Sequence, residues 1–217
     1  MTPTLYAHPF SSYCQKVLIA LYENGTPFEY RTLEDARNGT ELEALWPIKR
    51  FPVLVDDGRT VMEATIIIEH LCLHYPGLAR LIPDDPREAL AVRLLDRFFD
   101  NYVATPMQKI VLDRIRPEPD RDSYGVKEAR AMLDRAYGWL DRTLAGREWA
   151  AGRTFSLADC AAAPSLFYAD WAHPVGEAFP HVRDYRRRLL ARPSFARAVD
   201  EARPYRGYFP LGAPDRD

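Results

Sequence analysis

Apolar and polar residues follow one another along the first third of this chain with two different rhythms. Thr4 to Ala7 is a short β-prone run, and His8-Pro9 turns the chain toward two hydroxyl residues, Ser11 and Ser12. Apolar residues then fall at Cys14, Val17, Leu18 and Leu21, the i, i+3, i+4, i+7 spacing of a half-buried helix. Asn24-Gly25 supplies the residue types that end one. Phe28 to Leu33 alternates large and polar side chains like a strand, whereas Leu33 to Leu45 is polar and weakly helical. Val53 to Val55 reads as a compact buried strand, Asp56-Asp57-Gly58-Arg59 as a hairpin turn and Thr60 to Met62 as the partner strand. Glu63 to His74 is helical in pattern until Tyr75-Pro76-Gly77 stops it. The expectation is a four-stranded mixed sheet with helices in the order βαβαββα, within residues 1–77.

Residues 78–87 read as a linker, and residues 88–217 show helical patterning with no convincing strand. Asp85 as N-cap, Pro86 at the first helical position and Glu88 two residues later make a strong helix start. That helix is expected to run through Phe98, Phe99, Tyr102 and Val103, with Pro106 a kink or break. Arg116 to Asp120 is a proline-bearing loop. A helix over Val126 to Leu144 places Ala129, Leu133, Ala136, Leu140 and Leu144 on its inner stripe, and Gly146 closes it. Ser156-Leu157-Ala158-Asp159 is a capping box with Phe155 placed as a staple. Two further helices are expected near Pro180–Ala191 and Pro193–Ala202, and the aromatic tail from Tyr205 lies across the surface. The fold class is therefore α+β: a small mixed-sheet domain, then an all-α domain.

Composition narrows the function. The 217 residues are 47% hydrophobic and 28% charged with a formal net charge of -2, a balance that argues against nucleic acid or an acidic membrane as main partner. Arg183, Arg186, Arg187 and Arg188, interleaved with Asp184 and Leu189-Leu190, read as the wet face of an amphipathic helix. No apolar run is long enough to span a bilayer, and no basic, apolar leader opens the chain. Three widely spaced cysteines, Cys14, Cys72 and Cys160, fit neither a disulfide framework nor a zinc pattern, which points to a reducing cytoplasm. His70 and His74 have the i, i+4 spacing of metal ligands, but no third ligand is evident and a helix surface is the better reading. What remains is the helix start at Ser11. A strand that runs through a short loop into a capped helix aims N–H groups and a positive dipole end at one spot, suited to a thiolate or a carboxylate.

Four motifs in order resemble the cytosolic glutathione transferases. They are the strand–Ser11-Ser12–helix unit, Pro47-Ile48-Lys49-Arg50-Phe51-Pro52-Val53-Leu54, the stretch from Met62 to Leu71, and Ser156-Leu157-Ala158-Asp159. The serine-type, zeta- and tau-like groups and their bacterial relatives look nearest. The resemblance implies a thioredoxin-like first domain and glutathione as co-substrate, its thiolate attacking a small hydrophobic electrophile without a metal. Conjugation, isomerisation, dehalogenation and peroxide reduction all stay open. It implies that Ser11 donates to the glutathione sulfur, with Ser12 the next candidate for that role. Phe51 would pair with the cysteinyl backbone ahead of a cis Pro52, and Lys49 or Arg50 would meet the glycine carboxylate. Glu63 would hold the γ-glutamyl ammonium and the N–H of Ala64 its carboxylate, Thr65 standing in for the family's serine hydroxyl, which is missing at position 64. Tyr13, Phe99, Tyr102 and Met107 are the candidate wall of the acceptor site between the domains, with Tyr205 to Phe209 a possible lid. Cys14 has the spacing of the second cysteine of a Cys-x-x-Cys pair without the first, and reads as core. Detoxification in the cytoplasm and a homodimer are the implied setting. The rival reading is a non-catalytic relative that binds hydrophobic ligands or a protein partner, which Ala64 and Phe51 favour.

Overall fold

The computed structural model describes residues 2–217. Strands β1 (Thr4–Ala7), β2 (Glu29–Thr32), β3 (Val53–Asp56) and β4 (Arg59–Met62) form one sheet in the order β2-β1-β3-β4. Helix α1 (Ser12–Glu23) is the crossover that lets β1 and β2 run parallel, whereas β3 lies antiparallel to both β1 and β4. The β3–β4 hairpin turns on Asp57 and Gly58, both at positive φ (48° and 75°), the turn geometry that matches strand twist.

Strand alternation divides the sheet's two faces. Leu5, Ala7 and Leu54 point into the large core beneath α1 and α3 (Ala64–His74). Tyr6 and Val53 form a second, small core with Leu42 of α2 (Ala36–Leu45), joined by Leu45, Trp46, Val55 and Met62. The weak helical pattern over 33–45 is a real helix, held by Asp35 as N-cap and by this modest apolar patch.

Helix α1 departs from expectation. Instead of one wet face, it buries every residue from Cys14 to Leu21, Gln15 and Lys16 included. The helical domain covers the side that the sheet leaves open. Gln15 Nε2 donates to Tyr168 Oη at 3.1 Å, and Tyr22 Oη donates to Glu201 at 2.6 Å. Arg192 meets Glu23 through two bonds of 2.7 and 2.6 Å.

The helical domain begins at α4 (Pro86–Phe98), capped by Asp85. Pro106 neither breaks nor sharply ends this helix. Phe99–Ala104 widens into a π-helical turn, with the Thr105 N–H reaching back to the Asp100 carbonyl, and α5 (Thr105–Arg114) continues beyond it. Proline has no N–H and its ring crowds the preceding turn, and the wider turn removes that conflict without a stop. Then come α6 (Ser123–Leu144), α7 (Leu157–Ala172), α8 (Pro180–Leu190) and α9 (Pro193–Ala202). Helix α6 starts at Ser123, three residues before the start expected from periodicity, with Asp122 as its cap. The capping box at Ser156 and Asp159 is present and wholly buried. The tail is more tightly held than a surface strand: Phe209 is 5% exposed and packs against Trp171 at 5.2 Å between ring centres.

Candidate active site

Three turns of the first domain converge at one end of the sheet, beyond the C-terminal ends of β1 and β4 and the N-terminal end of β3. The first is the β1–α1 turn, where Phe10 N–H donates to His8 Nδ1 at 3.1 Å. Ser11 follows in extended conformation as the N-cap of α1, and its Oγ accepts from Cys14 N–H at 3.4 Å. A hydroxyl has one donor and two acceptor lone pairs, so capping spends an acceptor and leaves the O–H free to donate. Ser12 is the first residue of the helix.

The second turn precedes β3. Lys49 has φ 57°, the Phe51–Pro52 bond is cis, Phe51 is 40% exposed and Pro52 is buried. Lys49 pairs with Glu43 at 2.6 Å, while Arg50 makes no ion pair among the described residues. The third turn joins β4 to α3 at Glu63, with φ 68° and ψ 119° and no side-chain cap. A non-glycine residue held there costs roughly 1–3 kcal/mol, and such strain gathers at functional sites. The uncapped start leaves the first amides of α3, Ala64 among them, without a side-chain acceptor.

Ser11, Tyr13, Trp46, Lys49, Arg50, Phe51, Pro52, Glu63 and Ala64 line one cleft of about 520 Å³. The helical domain supplies its other wall through Arg97, Asp100, Asn101, Gln108 and Leu112. The structure thus gathers most of the sequence-derived glutathione-site candidates. It leaves out Ser12, Thr65 and three of the four residues expected to line an apolar acceptor site.

Each omission has a physical cause. Phe99 is fully buried and Met107 is 4% exposed, because large apolar side chains on a half-buried helix turn to the core. Tyr102, 49% exposed, packs with its ring tilted against Phe98 at 5.5 Å, outside the cleft. The wall is instead the outward stripe of the same helical run, polar at Arg97, Asn101 and Gln108 and ending on the exposed Leu112, whose spacing puts it on one face. That stripe was readable as a helical periodicity of polar residues. The aromatic tail is no lid on the cleft: Tyr205 and Tyr208 pack on His8, and no tail residue lines the cleft.

Thr65 is spent beneath the site. Its hydroxyl donates to Asp96 Oδ2 and accepts from Lys16 Nζ, both at 2.9 Å. Lys16 Nζ lies 2.6 Å from Asp96 Oδ1 and 2.9 Å from Asp100 Oδ2, with Lys16 and Asp96 each 1% exposed. Arg97 bonds both carboxylates from the cleft side. This buried network ties α1, α3 and α4 together directly under the cleft floor. Burial raises the Asp100 carboxyl above its usual range even against the pull of Lys16. Burial also works against the Arg97 cation, but Asp100 and Asp96 outweigh it and hold its pKa above the ordinary value.

Burial, with Asp100 second, pushes the Tyr13 hydroxyl up to about 12, so a neutral phenol faces the cleft. Burial likewise pushes the Cys14 thiol up to about 12. With no exposure and a protonated sulfur, Cys14 is inert packing, and Cys72 and Cys160 are also unpaired. His70, read as a helix-surface residue, is half-buried: it bonds Asp56 at 2.7 Å, and Tyr75 Oη bonds the same carboxyl at 2.5 Å.

Known proteins divide this chain the same way. The family model for the glutathione S-transferase N-terminal domain matches residues 5–79, and that for the C-terminal domain matches residues 93–193. The chain belongs to the glutathione S-transferase family. Relatives named as glutathione S-transferases and as maleylacetoacetate isomerase, with a similar structure solved with glutathione bound, support glutathione transferase function without specifying the reaction. Glutathione S-transferase hmp2 of Hypomyces subiculosus is 27% identical over 94% of this chain and 100% of its own. FtsZ-localized protein A of Caulobacter vibrioides is 30% identical over 88% of each chain. The crystal structure of a glutathione S-transferase from Methylobacterium radiotolerans, in complex with glutathione sulfonate, superposes with a TM-score of 0.79 at 30% identity. That alignment covers 92% of this chain and 95% of the other. No helix among the described residues is long and apolar enough to cross a membrane.

Proposed function

We propose that this chain binds glutathione in the cleft between its two domains and presents the sulfur, as thiolate, to a small electrophile. The observation that carries the reading is Ser11. Its oxygen caps α1 as an acceptor, its proton remains to be donated, and it opens on the cleft shared by Phe51, Pro52, Glu63 and Ala64. A free thiol has a pKa near ~8.5, and each unit by which the Ser11 hydrogen bond and the α1 dipole lower it is worth ~1.4 kcal/mol. The thiolate then forms a bond from sulfur to the electrophilic carbon, and the leaving group departs with the bonding pair. Glu63 takes the γ-glutamyl ammonium and the Ala64 N–H its carboxylate. The Phe51 backbone takes the cysteinyl unit, and Arg50, with no ion-pair partner among the described residues, takes the glycine carboxylate with Lys49 in support. The largely polar wall of Arg97, Asp100, Asn101 and Gln108 favours an acceptor with polar groups over a purely hydrophobic one.

Ala64 sustains a second reading. The family hydroxyl is absent there, and the hydroxyl of Thr65 is committed to Lys16 and Asp96. A relative of similar extent is named for localisation with FtsZ rather than for chemistry. Retention on immobilised glutathione, followed by a conjugation assay with a generic aryl halide, separates the two. Retention with turnover supports the enzyme, retention without turnover supports the non-catalytic relative, and the absence of both contradicts the enzyme reading.

A homodimer in a reducing cytoplasm is the setting we propose. Ile66 and Leu73 on α3 and Leu90 and Leu94 on α4 are more than half exposed, on helices laced together by Arg93 and Glu69. A second copy covering this face is the expected partner, and sedimentation of wild type against Leu94→Glu tests it.

A further inference from the structure

A second cavity, of about 490 Å³, lies in the helical domain and shares no lining residue with the glutathione cleft. It is walled by Asp170 of α7, Pro174 and Val175 after it, Arg183, Asp184, Arg186 and Arg187 of α8, and Arg216 of the tail. The α8 arginines do not form a uniformly wet face. Arg187 is exposed and paired with Asp184, but the Arg186 side chain is only 12% exposed, with its guanidinium over the Phe167 ring.

Arg186 is the anomaly. A buried guanidinium normally spends its N–H donors on acceptors. Here Nε and Nη2 are sealed from solvent without a hydrogen-bond acceptor, and the one carboxylate contact is Asp170 Oδ2 at 3.3 Å. Asp170 is already committed. Its Oδ1 accepts from Val175 N–H at 2.8 Å, and its Oδ2 and main-chain carbonyl both receive Arg216. Burial accordingly lowers the pKa of Arg186 from its ordinary value, as expected of a cation short of counter-charge. The cavity lining holds four guanidinium groups against two carboxylates. Arg187 has Asp184, Arg216 and Arg186 share Asp170, and Arg183 has no ion pair among the described residues, so the lining carries an excess of two positive charges.

We propose that this cavity is a binding site for a phosphate group, carried by a small phosphorylated molecule, with Arg186 and Arg183 as its cationic contacts. The exposed Arg183 fork can match phosphate oxygens in a pair, and Arg186 adds positive charge from the cavity wall. The charge of a phosphate monoester, close to minus two, balances the excess of two positive charges in the lining. The volume leaves room for an organic group beyond the phosphate.

Isothermal titration of the full chain at neutral pH in low-salt chloride buffer tests the site, with inorganic phosphate and glycerol 3-phosphate as the two probes. Saturable binding is expected for wild type, with Arg186→Met and Arg183→Gln each weakening it roughly ten- to hundredfold, the worth of a charge-assisted hydrogen bond. Affinity for glutathione is expected to stay unchanged in both variants. Tighter binding of glycerol 3-phosphate assigns the site to a phosphorylated metabolite, and equal binding assigns it to the phosphate group alone. Arg183 is exposed, so Arg183→Gln leaves the core intact and decides the matter if Arg186→Met fails to fold. No saturable heat at millimolar probe, or binding that neither variant weakens, overturns the proposal.

Discussion

Replacing Lys16 by methionine removes the one cation buried between Asp96 and Asp100 while keeping an unbranched chain of similar length. The ammonium lies within 3.1 Å of three carboxylate oxygens and 2.9 Å from the Thr65 hydroxyl. Without it only Arg97, itself half exposed, faces the two carboxylates. Removing one partner of a buried ion pair costs about 3–5 kcal/mol, because the remaining charge is left uncompensated. For a chain of this size that corresponds to a fall in Tm of about 6–20 °C. The deficit depends on pH with a definite sign. Burial already holds the Asp100 carboxyl above its usual range, and losing Lys16 raises it further. An acid whose folded pKa is raised adds stability that is fully present below its unfolded pKa of ~3.9 and is lost as pH rises through the folded pKa. The gap between wild type and Lys16→Met is therefore largest at neutral pH and narrows on acidification. Adding Asp100→Asn removes one stranded charge and recovers part of the loss. Thermal melts of the three proteins across the neutral-to-acid range provide the assay. An unchanged Tm, or a gap that widens as pH falls, refutes the buried-pair account.

Ser11→Ala is expected to lower kcat/KM for glutathione conjugation by roughly 10²–10³, the usual loss for one donor at a developing charge. Its Tm changes little, because a cap of 3.4 Å sits at the weak end of the ~0.5–2 kcal/mol range. Ser11→Thr retains most of the activity, which steady-state kinetics at matched stability will show. Glu63→Gly relieves the positive φ at Glu63 and raises Tm, while weakening glutathione binding through loss of the carboxylate; melts and titration calorimetry on one preparation check both directions. Asp159→Ala strands the N–H groups of Ala150 and Ser156 and the hydroxyls of Ser156 and Tyr185, all bonded to a fully buried carboxyl. It should cost at least about 3 kcal/mol by denaturant unfolding.

The parts of this fold that were readable in advance are those written in neighbouring residues. Strand alternation, the Asp57-Gly58 turn, the Asp85-Pro86 start and the Ser156 capping box all act within a few positions, and each is present. Lys16 was not readable. Its carboxylate partners lie 80 or more residues away on α4 and the π-helical turn, so a periodic reading of α1 leaves it in water. The cleft divides along the same line. Its first-domain wall comes from three local turns, each with its own residue signature. Its helical wall depends on which face of α4 and α5 turns outward, and ranking those helices by large apolar residues selects the face that turns inward, Phe99 and Met107. Arg186 was misplaced for a related reason: three neighbouring arginines look alike in sequence, and only the packing of α7 against α8 seals one of them.

The central claim is that glutathione lies in the interdomain cleft with its sulfur on Ser11. A crystal structure of the glutathione complex measures this directly. The account predicts the sulfur within hydrogen-bond distance of Ser11 Oγ, the γ-glutamyl group at Glu63 and Ala64, and the cysteinyl unit on the Phe51 backbone. A sulfur held by the Tyr13 hydroxyl, or glutathione bound elsewhere, would contradict it.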